Sequence, residues 1–111
     1  MSRFLVLYLA PLSALDQMRN VTPEQAKAGM EAWMAWAKQH ERSLVELGAP
    51  LGKGKHVTTS GMSDAKSEIA GYSIVQADSL DAAGKLFAAH PHFHLPGAAI
   101  EIRECVAMPG A

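Results

Sequence analysis

The chain has 111 residues, of which 49% are hydrophobic and 19% charged, and its formal net charge is −1. That length fits one domain able to bury a core without disulfides, and the composition excludes a disordered chain. A net charge so near zero gives no electrostatic case for a nucleic-acid partner or an anionic membrane. We therefore expect a single domain over residues 1–111.

The cysteine content and the N-terminus bear on the compartment. Cys105 is the only cysteine, so no internal disulfide can form and a reducing compartment, the cytoplasm, is expected. Because Cys105 falls in an apolar strand pattern, it is predicted to be a core side chain rather than a nucleophile. The first apolar run ends at Pro11, well short of the ~18 residues of a membrane span, and predicts a strand.

The first half of the chain predicts a strand followed by a long helix. Phe4–Leu9 is a continuous apolar run typical of a central strand, and a polar connection follows over residues 13–21. Thr22, Pro23 and Gln25 form a strong helix start with a capping box. Apolar residues at helical spacing continue to Leu47, which predicts a helix of about 25 residues. Its length indicates either a break near residues 40–43 or packing against a second subunit. Its stripe of Met30, Trp33 and Trp36 is predicted to be core or subunit contact, with an aromatic cofactor shelf as the alternative.

The second half predicts a hairpin, a short helix and a final strand. His56–Ser60 and Glu68–Ala77 are predicted to pair as an antiparallel hairpin around a polar loop. Ser79 caps a second helix, which should end near Ala89 because Pro91 disfavours helical geometry at the residue before it. Ala98–Val106 alternates as a last strand, and residues 108–111 form a tail.

The order of these elements predicts the fold class. Strand, helix, strand, strand, helix, strand is the ferredoxin-like βαββαβ arrangement, an α+β fold with helices on one face of a four-stranded antiparallel sheet. If the other face is apolar it must be hidden too. Pairing two such faces in a homodimer hides them and leaves a cavity between the sheets.

Three of the five histidines lie close together, at positions 90, 92 and 94. His90 is predicted at a helix C-terminus, where the helix dipole favours a cation by ~0.3–1 kcal/mol and raises its pKa. It either bonds the last carbonyls or serves as an acid, base or anion-binding group. In an extended segment His92 and His94 would point to the same side and could hold a metal with a third ligand from His90, Glu101 or His56. The alternative is a polar loop edge.

Two further residues are candidates for a ligand site. Tyr72 follows Gly71 in a predicted strand, where its hydroxyl suits a pocket wall, although an ordinary half-buried tyrosine fits equally well. Glu101 alternates with Ile100 and Ile102. On an open sheet it would be solvated, whereas in a dimer cavity it could be a base with a raised pKa.

Several stretches, in this order, resemble the YCII-related (YciI-like) family. The resemblance covers nearly the whole chain and implies the dimeric α/β barrel fold. A better-known branch of that family is suspected of enzymatic activity through a histidine early in the first helix and an aspartate before the proline after the second helix. Here His90 takes the second position, and the helix start offers Glu24, Gln25 and Lys27. The family's pair is therefore not matched, and the resemblance implies only where the pocket lies. The matching stretches are Phe4–Tyr8, Thr22–Ala26, Gly48–Gly52, Gly71–Ile74, His90–His92, Pro96–Gly97 and Ile100–Glu101.

These observations lead to one leading hypothesis and two others. The first is a small homodimeric enzyme that performs acid-base chemistry on a small polar or anionic metabolite. His90, His92 and Glu101 would be catalytic, with Tyr72, His94 and His56 as ligand-binding residues and no cofactor. The second is a non-catalytic module that binds a small ligand or a protein partner. The third is a metal-binding protein that uses His92 and His94.

Overall fold

The computed structural model describes residues 1–11 and 20–109. Residues 13–19 of the connection expected over residues 13–21 lie outside these ranges. Residues 110 and 111, at the end of the expected tail, lie outside them too. Within these ranges the chain forms six strands, two helices and a 3₁₀ turn, which lies just before the last strand. The strands are β1 Ser2–Leu9, β2 Leu44–Pro50, β3 Lys55–Thr58, β4 Gly61–Asp64, β5 Ile69–Ala77 and β6 Ala99–Glu104; the helices are α1 Pro23–Gln39 and α2 Leu80–Lys85.

Four of the strands form one antiparallel sheet in the order β2-β5-β1-β6. The two central strands, β5 and β1, are not consecutive in sequence. α1 lies between β1 and β2 in the chain, and α2 lies between β5 and β6. This is the ferredoxin-like α+β fold that the order of elements predicted, and that prediction is confirmed.

The helices cover one face of this sheet, and within residues 1–11 and 20–109 no helix covers the other. Alternate β1 residues Phe4, Val6 and Tyr8 are buried against the helices, where Trp36 of α1 and Ala83 of α2 complete the core. The residues between them in β1 point the other way and are only half-buried: Leu5, Leu7 and Leu9. We call the side that carries these leucines the open face. Because strand side chains alternate, every residue of the sheet belongs to one side or the other.

The predicted start of α1 is confirmed in atomic detail. Its predicted continuation to Leu47 is wrong, and the alternative of a break near residues 40–43 is confirmed. The Gln25 backbone N–H donates to Thr22 Oγ1 at 3.1 Å, and the Thr22 N–H donates to Gln25 Oε1 at 2.9 Å, which completes the capping box. The helix ends at Gln39, and the stretch with Leu47 is β2 instead. β5 pairs with this stretch at four positions between Leu44 and Pro50, and this pairing outweighs the helical spacing of its apolar residues.

A glycine allows β2 to lie close to β5. Gly48 has a φ of +81°, in the left-handed region, and a Cβ at that position would overlap the Tyr72 carbonyl. The register of β2 against β5 shifts between Glu46 and Ala49, on either side of this glycine. Gly48 therefore makes an irregular edge strand possible.

The predicted hairpin has different partners. β3 pairs with β4, from Lys55 opposite Asp64 to Thr58 opposite Gly61, and β5 pairs with β1 and β2. Gly61, with a φ of +134°, begins the second strand directly after a tight turn. We call residues 51–66, which hold this two-stranded hairpin, the arm. It is exposed throughout.

Cys105 is also not where its pattern placed it. It lies one residue beyond β6, is exposed, and continues the ladder through its N–H to the Arg3 carbonyl at 2.9 Å. By alternation it shares the open face with Glu101 and Arg103, so burial in the core is excluded. In the part of the chain described here, no helix has the length and apolar character to cross a membrane.

Candidate active site

The His90–His92 segment is a turn that the side chain of His90 stabilises. Residues Pro91–His94 form a 3₁₀ helix, and His90 is its N-cap, with extended backbone. The His92 N–H donates to Nδ1 of His90 at 2.9 Å. Since α2 ends at Lys85, His90 does not sit at a helix C-terminus. The prediction that a helix dipole raises its pKa is therefore wrong.

The His90 ring is enclosed by aromatic side chains. It is 1% exposed. The ring centres of Trp33 and Trp36 each lie 4.4 Å from it, that of Tyr8 lies 5.1 Å away and that of Phe87 5.6 Å. Burial, with smaller contributions from the charges of His92 and His40, lowers the pKa of His90 to about 4. The ring is therefore neutral at pH 7.

The hydrogen bonds decide which nitrogen of His90 carries the proton. Nδ1 accepts a hydrogen bond from a backbone N–H, so it must present its lone pair. In the neutral ring the proton is then on Nε2. Among the described residues this buried Nε2 has no hydrogen-bond partner. A buried donor without an acceptor costs about 1–3 kcal/mol, so the site holds an N–H that is ready to bind an oxygen atom.

His92 is fixed in the same tautomer, but by a different partner. It is buried, and its Nε2 lies 2.7 Å from the carbonyl oxygen of Leu9. A carbonyl can only accept, so Nε2 carries the proton and the neutral ring has its lone pair on Nδ1. The turn thus holds two different functional groups: an N–H donor on His90 and a basic nitrogen on His92.

A hydrogen-bonded chain fixes the aromatic wall beside these rings. Ser73 Oγ donates to the Leu47 carbonyl at 2.6 Å, so the Tyr8 hydroxyl, 2.8 Å away, donates to Ser73. Burial raises the pKa of Tyr8, which keeps the hydroxyl neutral. Trp36 Nε1–H donates to the Leu86 carbonyl at 3.1 Å. The tryptophan stripe is partly core, as predicted. That it also encloses a histidine could not be foreseen, because the stripe and His90 are far apart in sequence.

The other two predicted histidines do not join this site. The 3₁₀ geometry turns His94 outward, where it is exposed while His92 is buried. The geometry assumed in the metal-binding alternative, with both rings on one side of an extended segment, is therefore not present. His56 lies on the exposed arm, opposite Ser63. Across residues 1–11 and 20–109, no group of three or more His, Cys, Asp or Glu side chains is placed to hold a metal ion.

Tyr72 and Glu101 lie on the opposite side of the sheet from His90 and His92. Both are paired with Leu7 of β1, on the open face, whereas Tyr8 and the two histidines lie under the helices. Tyr72 Oη donates to Glu46 Oε1 at 2.7 Å, and this carboxylate raises the pKa of Tyr72. Glu101 Oε2 lies 3.6 Å from Arg103 Nε. Within one chain, these residues do not converge with the histidines.

Comparison with known proteins gives the family. No curated protein sequence matched the chain significantly. Among the solved structures that match is 5-chloro-2-hydroxyhydroquinone dehydrochlorinase from Burkholderia phenoliruptrix AC1100, in complex with 2,5-dihydroxybenzoquinone. It has 16% identity and a TM-score of 0.48, with 91% of each chain covered. The sequence model of the YCII-related domain matches residues 5–108. The chain therefore belongs to the YCII-related family.

Proposed function

We propose that this chain is a small enzyme that moves a proton on a small polar or anionic molecule at the His90–His92 turn. The observation that carries the proposal is the buried Nε2–H of His90, which has no partner in the described part of the chain. Such a group lowers stability, and costly arrangements of this kind cluster at functional sites. The lowered pKa of His90 points the same way.

The two rings have different tasks. His90 stays neutral at pH 7 and donates from Nε2 to an oxygen atom that gains negative charge, such as that of a carbonyl or phenol. His92 takes a proton at Nδ1, while the Leu9 carbonyl, 2.7 Å from Nε2, holds its ring in place. Each positioned group of this kind contributes ~10²–10⁴-fold to a rate. The ligand class is therefore a small molecule with an acidic C–H or O–H beside an oxygen acceptor.

The functional unit we propose is a homodimer in the cytoplasm that pairs the open faces of two copies. On that face Leu5, Leu7 and Leu9 are half-buried in the single chain, and no helix of the described residues covers them. An apolar sheet face is normally covered, and a second copy covers it symmetrically. Tyr72 and Glu101 would then face the cavity between the sheets, as a ligand-orienting pair apart from the histidines.

The test uses small keto acids and phenols as probes, followed by ¹H–¹⁵N spectra of the imidazoles. A bound probe should shift the signals of His90 Nε2 and His92 Nδ1, and protons next to the probe's carbonyl should exchange with D₂O. His90→Asn and His92→Gln should abolish both effects, and the exposed control His94→Gln should keep them. Binding and exchange that survive both site variants would refute the proposal. Binding without exchange would favour the non-catalytic binding module.

A further inference from the structure

Among the residues the structure describes, the two strands of the arm have no strand partner outside the arm. There β3 and β4 pair only with each other, and all of their residues are exposed. A two-stranded hairpin is at best marginally stable when it stands alone in water. The radius of gyration is 15.6 Å, against about 13 Å for a compact chain of this length. The arm therefore projects from the domain, and an ordered hairpin in this position requires a surface to pack against.

One side of the arm carries an exposed apolar pair. Val57 and Met62 are directly opposite each other across the hairpin, and they are 67% and 73% exposed. On the same side Lys55 Nζ lies 2.7 Å from Asp64 Oδ1. A cross-strand apolar pair beside an ion pair has the composition of an interface patch rather than of a solvated turn.

The arm also differs in charge from the rest of the chain. Residues 51–66 hold three lysines and one aspartate, a formal charge of +2, and since the whole chain has −1, the remaining residues have −3. The open face carries two acidic side chains, Glu46 and Glu101, together with Arg103, whose Nε lies 3.6 Å from Glu101 Oε2. A positive arm and an acidic body in one chain are complementary between two copies of that chain.

The base of the arm is next to the open face. The Leu51 N–H donates to the Ala70 carbonyl at 2.9 Å, which fixes the start of the arm where β2 ends and β5 begins. Within the arm, the Ala65 N–H donates to the Gly54 carbonyl at 2.9 Å. Tyr72 lies two residues beyond Ala70 on that face. An arm that starts there can continue the contact surface of paired sheets beyond their edge.

We propose that the arm packs against a second copy of this chain. Val57 and Met62 lie against the rim of the partner's open face, and the arm lysines lie beside the partner's Glu46 and the partner's Glu101. This inference rests on the homodimer proposed above and gives it a second contact region. Each copy holds the other, because the contact occurs twice about the two-fold axis.

The test measures the dimer dissociation constant by sedimentation equilibrium. Val57→Ser with Met62→Ser should raise it at least about tenfold, since two apolar side chains lose their burial. The control, Val106→Ser with Met108→Ser, removes the same residue types at 78% and 75% exposure and should leave the constant within about twofold. Lys53→Glu with Lys66→Glu should weaken the dimer more than the control Lys27→Glu with Lys85→Glu, and the difference should shrink in high salt.

The outcomes separate this inference from the homodimer. A wild-type dimer that both arm variants leave unchanged would overturn the arm contact and keep the dimer. A wild-type chain that is monomeric at about 100 micromolar would overturn both the arm contact and the homodimer. That concentration is ~100 times a dissociation constant of about 1 micromolar. Hydrogen exchange gives an independent check. Arm amides should be protected in concentrated samples and exposed in dilute ones, and equal exchange in both would overturn the arm contact.

Discussion

Acid should destabilise the fold through one residue, His90. In the folded chain its pKa is lowered to about 4 because the ring is buried among aromatic side chains, whereas an unfolded histidine has its usual value of 6.5. Between these two values the unfolded chain binds a proton that the folded chain does not. The free energy of unfolding should therefore fall as the pH is lowered through this window. His90 should add no pH dependence above pH 6.5, and below about pH 4 the full loss should remain without growing further.

The size of the loss follows from the gap between the two pKa values. At about 1.4 kcal/mol per pH unit, a window from 6.5 to about 4 gives about 3 kcal/mol. The free energy of unfolding of a domain of this kind is about 5–15 kcal/mol, so the loss caused by His90 is a large fraction of it. It should shift the midpoint of a urea titration visibly.

The assay is urea unfolding at pH 7, 6, 5 and 4.5, followed by tryptophan fluorescence. His90→Asn is the informative variant because an asparagine oxygen can still accept the His92 N–H and cap the turn. It will be less stable at every pH, since ring packing is lost, but its pH dependence between 6.5 and 4.5 should be much flatter. His94→Gln, a change at the exposed histidine, should keep the wild-type slope.

The reasoning would fail if wild type and His90→Asn lost equal free energy between pH 7 and 4.5. It would also fail if NMR titration gave His90 a pKa at or above 6. In either case the His90 ring would be solvated, and the argument that its Nε2–H is buried without an acceptor would fail.

The remaining predictions concern stability near pH 7 and use urea unfolding. Gly29→Ala should stabilise the chain by about 0.5–1 kcal/mol, because it lies inside α1 with nothing within 4 Å of the added Cβ; an unchanged midpoint would contradict this. Gly48→Ala should destabilise by about 2 kcal/mol or more, because its Cβ would overlap the Tyr72 carbonyl at positive φ, and a neutral result would show that β2 can move away. Thr22→Ala removes the Oγ1 that accepts the Gln25 N–H and should cost about 1 kcal/mol, whereas Thr22→Ser should cost little.

The fold was largely readable from the sequence because its strongest signals are local. The capping box at Thr22 and Gln25 requires residues only three positions apart, and it is present. The apolar run of β1 and the alternation of β6 are likewise properties of contiguous residues. The segment with Leu47 was assigned to the helix because its spacing fits both periods. Only its pairing with β5, about 26 residues further along the chain, made it a strand.

The candidate site was readable only in part, since its properties depend on residues that are distant in sequence. The sequence placed His90 and His92 in one segment, and the structure buries both in one turn, where the His92 N–H donates to Nδ1 of His90. It could not predict that Trp33 and Trp36 enclose His90, so it gave the wrong direction for the pKa. It also joined Tyr72 and Glu101 to the histidines, although the sheet separates them. The sequence alone therefore determined the order of elements and the residue types available for chemistry. Tertiary structure decided burial, tautomer and side of the sheet, because each of these is set by a partner that the fold brings from elsewhere in the chain.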